Sequence, residues 1–480
     1  MKFPSPESFR AAARVHETTD PTKPERSLEN ANKPEYRKAE SITTPTIEQD
    51  EKGHYTLPEP TIINNSDRRI RDIETGAAIG VGGIYEIIDA RPPEGVREAD
   101  IPVLYATGFG SVGKMIPGVL GQIPGEQNRR LVTWNEVVGI DMENSVLFER
   151  QANNDSIEGE RPEEAAIPTV QLSKALGLIE TLRHTQIDKV DVVAHSEGAI
   201  HTLLAAALYP EKFRTIVLNS PAGLSGSQST LSLAVFTIFD RIKQKFDDNK
   251  EKDLESYDPS ANKMPITVST KKFNPHNTKT HTRSKKSTFL LDSISQMAKV
   301  EMQDVLQYVR SQGVKVAIVH GGTDTAFPAT KMVEKITGSP DGNMNQHVEE
   351  FVLQPKYGHD TTIRRPDLFK HTVLDTLDRV NTKAHIDNLR KELASYKEEL
   401  VHRGLTADPD LQAFRQALEK EIELESERYD DLKRGVSAVQ LATFIESKYK
   451  SPFAYLTNLI CFTSNLIPLH MGRLFRYKLL

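Results

Sequence analysis

Ser196, Asp324 and His359 carry side chains that could do nucleophilic chemistry together, and they follow one another in that order. A serine hydroxyl is a weak nucleophile near neutral pH and needs a base to take its proton. An imidazole can serve as that base, and a carboxylate can hold the imidazole in the right tautomer and stabilise its charged form. The surroundings of Ser196 make it the leading nucleophile. The β-branched run Val190-Asp191-Val192-Val193 passes through Ala194 and His195 to Ser196, and Glu197-Gly198 opens a helix-like Ala/Leu stretch. A strand that turns sharply into a helix leaves its serine at the bend, the pattern G-x-S-x-G. Crowding there demands small residues two before and two after the serine. Gly198 fits, while Ala194 replaces the usual first glycine and adds one methyl group.

The partners also stand where such chemistry needs them. Residues 314–319 read as a buried strand, and Gly321-Gly322-Thr323-Asp324 follows as a turn carrying a carboxylate. Residues 348–353 read as another strand, followed by Tyr357-Gly358-His359-Asp360. All three candidates therefore lie just beyond the C-terminal ends of strands, the edge of an open α/β sheet where ligands bind. Each has a plainer use: a junction serine can be a helix cap, Gly-Thr-Asp suits turns, and most of the 14 histidines belong on the surface. The rivals are weaker. Residues 215–218 end in Asn219-Ser220-Pro221, which offers no carboxylate, and His320 lies at a strand end that already supplies Asp324.

This set of residues resembles the α/β-hydrolase family over about residues 80–380, on the elbow, Asp324 and His359. The resemblance implies an α/β fold, a mainly parallel sheet flanked by helices, with a lid insertion. It also implies a serine hydrolase that cleaves an ester or related acyl bond through an acyl-enzyme, carboxylesterase- or lipase-like. Ser196 would be the nucleophile, His359 the base and Asp324 the acid. The oxyanion would be held by the backbone N–H of Glu197 and by one from the loop Thr107-Gly108-Phe109-Gly110, at Phe109 with Gly110 as the alternative. The family often has His-Gly in this loop, and Thr107 departs from that. Peptidase, thioesterase and acyltransferase chemistries share the triad and stay open, as does a non-catalytic scaffold of the same fold that binds a partner through its helical tail. Haloalkane dehalogenation needs a carboxylate where Ser196 stands.

A second motif competes for the same loop. Gly108 to Met115 matches G-x-G-x-x-G and nearly matches a phosphate loop, G-x-x-x-x-G-K-[ST]. Met115 cannot supply the hydroxyl that such a loop places on Mg²⁺. A tight loop brought against a substrate explains the same glycines. The further glycine cluster, residues 76–83, has no lysine and reads as a loop.

Positioning these side chains requires an ordered sheet, and the alternation of elements predicts one. Strands are expected at residues 83–90, 101–106, 130–134, 190–194, 215–218, 314–319 and 348–353. Helix-like segments lie at 169–183, 198–208, 294–311 and 329–336, which argues for a mainly parallel sheet with helices on both faces. Residues 1–75, interrupted by Pro21, Pro24, Pro34, Pro45, Pro58 and Pro60, read as a flexible polar arm or one draped over the core. The core then covers 76–382, with the lid insertion at 223–293. Residues 231–239 give that lid an apolar stretch, and residues 271–286 a basic one.

Residues 383–480 read as a helical extension. Ile386, Leu389, Leu393, Tyr396 and Leu400 recur at helical spacing, and Leu411, Phe414, Leu418 and Ile422 repeat it after Gly404 and Pro409. This suggests a hairpin of helices packed on the core or on a second copy, with self-association through residues 385–432. Residues 451–472 contain no Asp, Glu, Lys or Arg, and basic residues flank them. A buried terminal helix pair is the favoured reading, with peripheral membrane contact through residues 451–480 as the alternative.

With a net charge of −6, the chain gives no nucleic-acid signal. The single cysteine, Cys461, excludes an intramolecular disulfide and suits a reducing compartment. The first residues, Met1-Lys2-Phe3-Pro4-Ser5-Pro6, contain no apolar run of a secretory signal. The expected setting is cytoplasmic, with membrane association left open. The expected partner is a small-molecule acyl substrate. No zinc-type Cys/His cluster occurs, so neither a metal nor a cofactor is called for.

Overall fold

A computed structural model describes residues 44–49, 55–64, 69–71, 78–80, 84–109, 116–136, 169–229, 233, 294–295, 297–354, 357–364, 368–403 and 409–447. The lid stretch 231–239 apart from Leu233, the basic run 271–286, Gly110 and the apolar tail 451–480 lie outside the described residues. The chain divides into two compact units, residues 1–436 and 437–480. Of the second, residues 437–447 are described, and they are helical.

Among the described residues, the main sheet has nine strands. Eight form its path: β1 (Thr61–Asn64), β2 (Ile84–Ile87), β3 (Val103–Ala106), β4 (Leu131–Glu136), β5 (Val190–His195), β6 (Phe213–Asn219), β7 (Lys315–Gly321) and β8 (Glu350–Gln354). Their spatial order is β1-β2-β4-β3-β5-β6-β7-β8, with the short strand Asp89–Ala90 also paired to β4. The pairings from β4 through β8 are all parallel, and β2 runs antiparallel to both its neighbours. The longer helices between them are α1 (Thr169–His184), α2 (Gly198–Leu208), α3 (Gln303–Ser311) and α4 (Ala329–Thr337).

The sequence accounts for this layering. Parallel strands covered on both faces read as continuous apolar runs, and every residue of β5 is buried. Side chains alternate across a strand, so each strand feeds two cores. Leu104, Ala106, Val192, Ala194, Ile216, Leu218, Val316 and Ile318 share one core with residues of α1 to α4. Val103, Tyr105, Val193, Val217, Ala317 and Val319 share the other with Ile123, Phe369, Val373 and Leu377. Leu233, from the segment read as a lid, is buried in the first core.

Three differences from the sequence expectations have physical causes. The sheet begins before residue 83: Thr61-Ile62-Ile63 is β-branched, and β1 occupies the edge next to Pro58 and Pro60, where proline is tolerated. Along the segment read as a flexible arm or one draped over the core, Ile47 is buried, and Tyr55 and Leu57 pack against the second core. Within the glycine cluster read as a loop, Ala78–Gly80 pairs antiparallel with Arg69–Arg71, a ladder of backbone groups that makes no demand on side chains. The expected helix at 294–311 breaks at Val300, where the chain turns so that the Met302 N–H donates to the Gly223 carbonyl at 2.9 Å.

The expected boundary at 382/383 falls inside one continuous helix, α5 (Asp375–His402), which contains neither glycine nor proline to stop it. Its first turns bury Leu377 and Val380 against the sheet, and Asn381 donates to Asp191 at 2.9 Å. Asp191 is fully buried at the far end of β5 from Ser196, between Arg129 and Arg214. Burial pushes its carboxyl up, but the two guanidiniums outweigh this and hold it below the usual carboxylate range. The second half of α5 meets α6 (Pro409–Ser447). Tyr396 donates to the Leu411 carbonyl at 3.1 Å and stacks edge-on to Phe414, and Lys397 pairs with Glu419 at 2.8 Å. Among the described residues, no helix is long and apolar enough to cross a membrane.

Candidate active site

Ser196 follows β5 directly and adopts φ +53°, the left-handed region that a side chain ordinarily avoids. Holding such a residue costs about 1–3 kcal/mol, so its surroundings must over-determine it. They do so through the backbone. The Ser196 N–H donates to the Asn219 carbonyl at 3.1 Å, and the Ser196 carbonyl accepts from Ala199 and Ala222 at 3.1 and 3.0 Å. Gly198 is required by close approach: a Cβ there would lie 2.4 Å from the Ala106 carbonyl oxygen and 2.8 Å from that of Thr107. Ala194 has no such conflict. It pairs in register with Ala106 and Leu218, and its methyl fills the core. Ala194→Gly should therefore leave the reactivity of Ser196 nearly unchanged. Ala194→Val should overpack the turn and cost about 1–3 kcal/mol, read from chemical denaturation.

The acid and the histidine converge on this bend. Gly321 ends β7, and a Cβ there would lie 2.3 Å from the Tyr357 carbonyl, so only glycine lets the two loops touch. The Thr323 N–H donates to that same carbonyl at 3.0 Å. Asp324 Oδ1 accepts the N–H groups of Ala326 and Phe327 at 2.9 and 3.0 Å. Its other oxygen, Oδ2, lies 2.7 Å from His359 Nδ1, and His359 Nε2 lies 2.8 Å from Ser196 Oγ. All three residues are buried. Burial pushes the Asp324 carboxyl up. His359, His320 and the Phe327 N–H more than compensate, and the group stays below the usual carboxylate range.

The rival histidine is otherwise engaged. His320 Nε2 donates to the Phe327 carbonyl at 2.8 Å, and burial lowers its basicity. In the loop expected to carry an oxyanion donor, Gly108 lies against the elbow: a Cβ there would be 2.9 Å from both Ser196 Cβ and His195 Nδ1. Phe109, the next residue, is half-buried beside it, and Glu197 stands at the start of α2. Gly110 and residues 111–115 of the glycine–lysine motif lie outside the described residues.

Sequence reasoning missed three features of this site. The first is His195, whose Nε2 donates to the His359 backbone carbonyl at 3.2 Å. The second is the pairing of the Asn219 amide with the Thr362 hydroxyl at 2.7 Å. The third is a buried ion pair under the elbow, with Glu197 Oε1 accepting from Lys174 at 2.8 Å and from Gln171 at 2.7 Å. A signal for the third was present. Gln171 and Lys174 sit three apart on the stripe of α1 that also carries Leu178, so polar groups occupy a core-facing row.

Burial pushes the Glu197 carboxyl up, but Lys174 and then His201 overcome this and hold it well below its ordinary value. Lys174→Met should therefore destabilise the protein by about 3–5 kcal/mol, the usual cost of stranding a buried charge. Without its cation, Glu197 should titrate above the unfolded value. The folded state then gains protons first, and the deficit should shrink as pH falls through the raised value. Urea titrations of both proteins at two pH values check the sign.

His195, His359 and Asp360 bring three groups of metal-ligating type within 4.8 Å of one another. Both ring nitrogens of His359 are already engaged by Asp324 and Ser196, and His195 Nε2 by the His359 carbonyl, so the cluster works as a hydrogen-bond network.

Comparison with known proteins adds a family match over part of the chain. The family model of the alpha/beta hydrolase fold matches residues 158–366. No curated protein matches the chain in sequence. Among solved structures, the chain is similar to a hydrolase from Pseudomonas aeruginosa, at 13% identity over 67% of this chain and 99% of that one, with a TM-score of 0.39. It is similar to a thermophilic esterase from Thermogutta terrifontis at 14% identity, covering 67% of this chain and 99% of that one, with a TM-score of 0.38. It is also similar to a bromoperoxidase from Bacillus anthracis at 14% identity, covering 62% and 96%, with a TM-score of 0.39. The family match over residues 158–366 agrees with the mostly parallel sheet and with the sharp turn after β5, and the chain has the alpha/beta hydrolase fold.

Proposed function

We propose that this chain is a serine hydrolase that cleaves an ester or related acyl bond through an acyl-enzyme. One observation carries the reading: the unbroken relay from Asp324 through His359 to Ser196, at 2.7 and 2.8 Å. Those distances are within the reach that proton transfer requires. In this reading His359 Nε2 takes the hydroxyl proton as Ser196 Oγ attacks the acyl carbonyl, then returns it to the leaving group. Asp324, held ionised, keeps the proton on His359 Nδ1 and stabilises the imidazolium. The developing oxyanion is held by the N–H groups of Glu197 and of Phe109, or of Gly110 in place of Phe109. Gly108 supports this assignment, because its missing side chain lets the loop rest on the elbow.

A second turnover of the same groups, with water as the nucleophile, releases the acid. A fluorophosphonate probe tests the reading directly, because it reports an activated serine whatever the natural leaving group. Wild-type protein should acquire one adduct on the peptide containing Ser196, seen by mass spectrometry. A series of p-nitrophenyl esters of rising chain length then measures the acyl preference. A folded protein that neither labels nor turns over any of these esters would leave a scaffold with the fold alone.

A further inference from the structure

We propose that His195 is a positioning residue for the base: its Nε2–H holds the backbone carbonyl of His359, and from the next strand an Asn219–Thr362 pair holds the short helix that follows. The inference rests on reading His359 as the base. The hydrogen bond that His359 Nδ1–H donates to Asp324 sets the rotation of the imidazole but does not hold the backbone that carries it. That backbone lies in the loop after β8, just before the short helix Thr361–Arg364. Two groups fix it from rigid strand ends. His195, the last residue of β5, donates to the His359 carbonyl at 3.2 Å. Asn219, the last residue of β6, pairs with the Thr362 hydroxyl at 2.7 Å. His195 also precedes Ser196 directly, so one residue ties the loop of the base to the bend of the nucleophile.

The imidazole suits this task. His195 is almost completely buried, its ring 5.1 Å from that of His359, and Gly108 leaves it the space it occupies. Burial, then the neighbouring charge of His359, pushes its pKa down to about 4. It therefore stays a neutral donor near neutral pH and places no competing cation beside the base. Asp360 Oδ1, on the same loop, lies 3.6 Å from its Nε2. Small misplacements of a base are expensive, on the order of a hundredfold for about 1 Å.

Two substitutions separate positioning from core filling. His195→Phe keeps the bulk and loses the donor, whereas His195→Gln restores an N–H at the reach of Nε2. With a p-nitrophenyl ester, His195→Phe should lower kcat by about ten- to a hundredfold with little change in KM. His195→Gln should recover most of that loss. Wild-type kcat in His195→Phe, or a loss in His195→Gln as deep as in His195→Phe, would overturn the proposal. Should His195→Phe not fold, Thr362→Val removes the second hold from outside the elbow, and an unchanged kcat there overturns it equally. A folded wild type without turnover or labelling brings down the functional reading and this inference together. An active wild type with unaffected variants brings down the inference alone.

Discussion

Ser196→Ala is expected to lower ester turnover by about 10⁴- to 10⁶-fold and to abolish the fluorophosphonate adduct, while the protein keeps its fold. The size follows from what the hydroxyl does. Without it no acyl-enzyme can form, and His359 is left with water as the nucleophile. Removing the serine from such a triad costs about as much as removing the whole set, because the members act as one unit. What survives is the contribution of oxyanion donors and binding, about 10³- to 10⁴-fold over water. A factor of 10⁵ corresponds to about 7 kcal/mol of barrier. The fold should tolerate the change, since Ser196 is held by its backbone, through Asn219, Ala199 and Ala222, and not by its hydroxyl. Mass spectrometry of probe-treated wild type and variant, beside matched circular dichroism, is the check. An adduct on the variant equal to that on wild type would move the nucleophile elsewhere.

Asp324→Asn is expected to cost about 10⁴-fold in kcat, and the structure explains why so small a change acts so strongly. Asp324 Oδ1 is held by the N–H groups of Ala326 and Phe327. An asparagine would keep its carbonyl oxygen there, because an oxygen accepts those N–H groups and an amide nitrogen cannot. The amide –NH₂ would then face His359 Nδ1, 2.7 Å from where the carboxylate oxygen sits now. As a donor it would select the tautomer with the proton on Nε2, and that nitrogen could no longer accept the proton of Ser196. The variant also separates the two roles open to Asp324. If it were only a turn residue, asparagine would preserve that role, and kcat would hardly move. Steady-state kinetics with one p-nitrophenyl ester decides between a 10⁴-fold loss and none.

Both experiments probe residues legible in the amino-acid sequence, and the reason is locality. An elbow is a local object: a β-branched run, a serine, a glycine and a helix former within about ten residues, each dictated by the sterics of one bend. Asp324 and His359 were legible because each follows its own strand, and parallel strands place their C-terminal ends on one edge of a sheet. The same alternation of apolar runs and helix-like segments announced the layers. The edge strand Thr61–Asn64 escaped notice because four residues among prolines carry almost no periodic signal.

The connections that hold the site together were not legible, because they join residues far apart in sequence through single atoms. His195 meets the carbonyl of a residue 164 positions away, and Asn219 meets Thr362 across 143 positions. Nothing local distinguishes His195 from a filler between strand and serine, or Asn219 from the end of an apolar run. Lys174 and Glu197 lie 23 positions apart, yet their pairing depends on how α1 crosses behind the elbow. Sterics and hydrophobic periodicity act over a few residues and therefore leave a trace in composition and spacing. Hydrogen bonds between distant elements leave at most a polar residue on a core-facing row, as at Gln171 and Lys174, with no sign of its partner, since any of several polar residues could have made them. The order and kind of the reactive groups thus belong to the chain as written. The 2.7 and 2.8 Å contacts that join them exist only because packing brings three strand ends to one point.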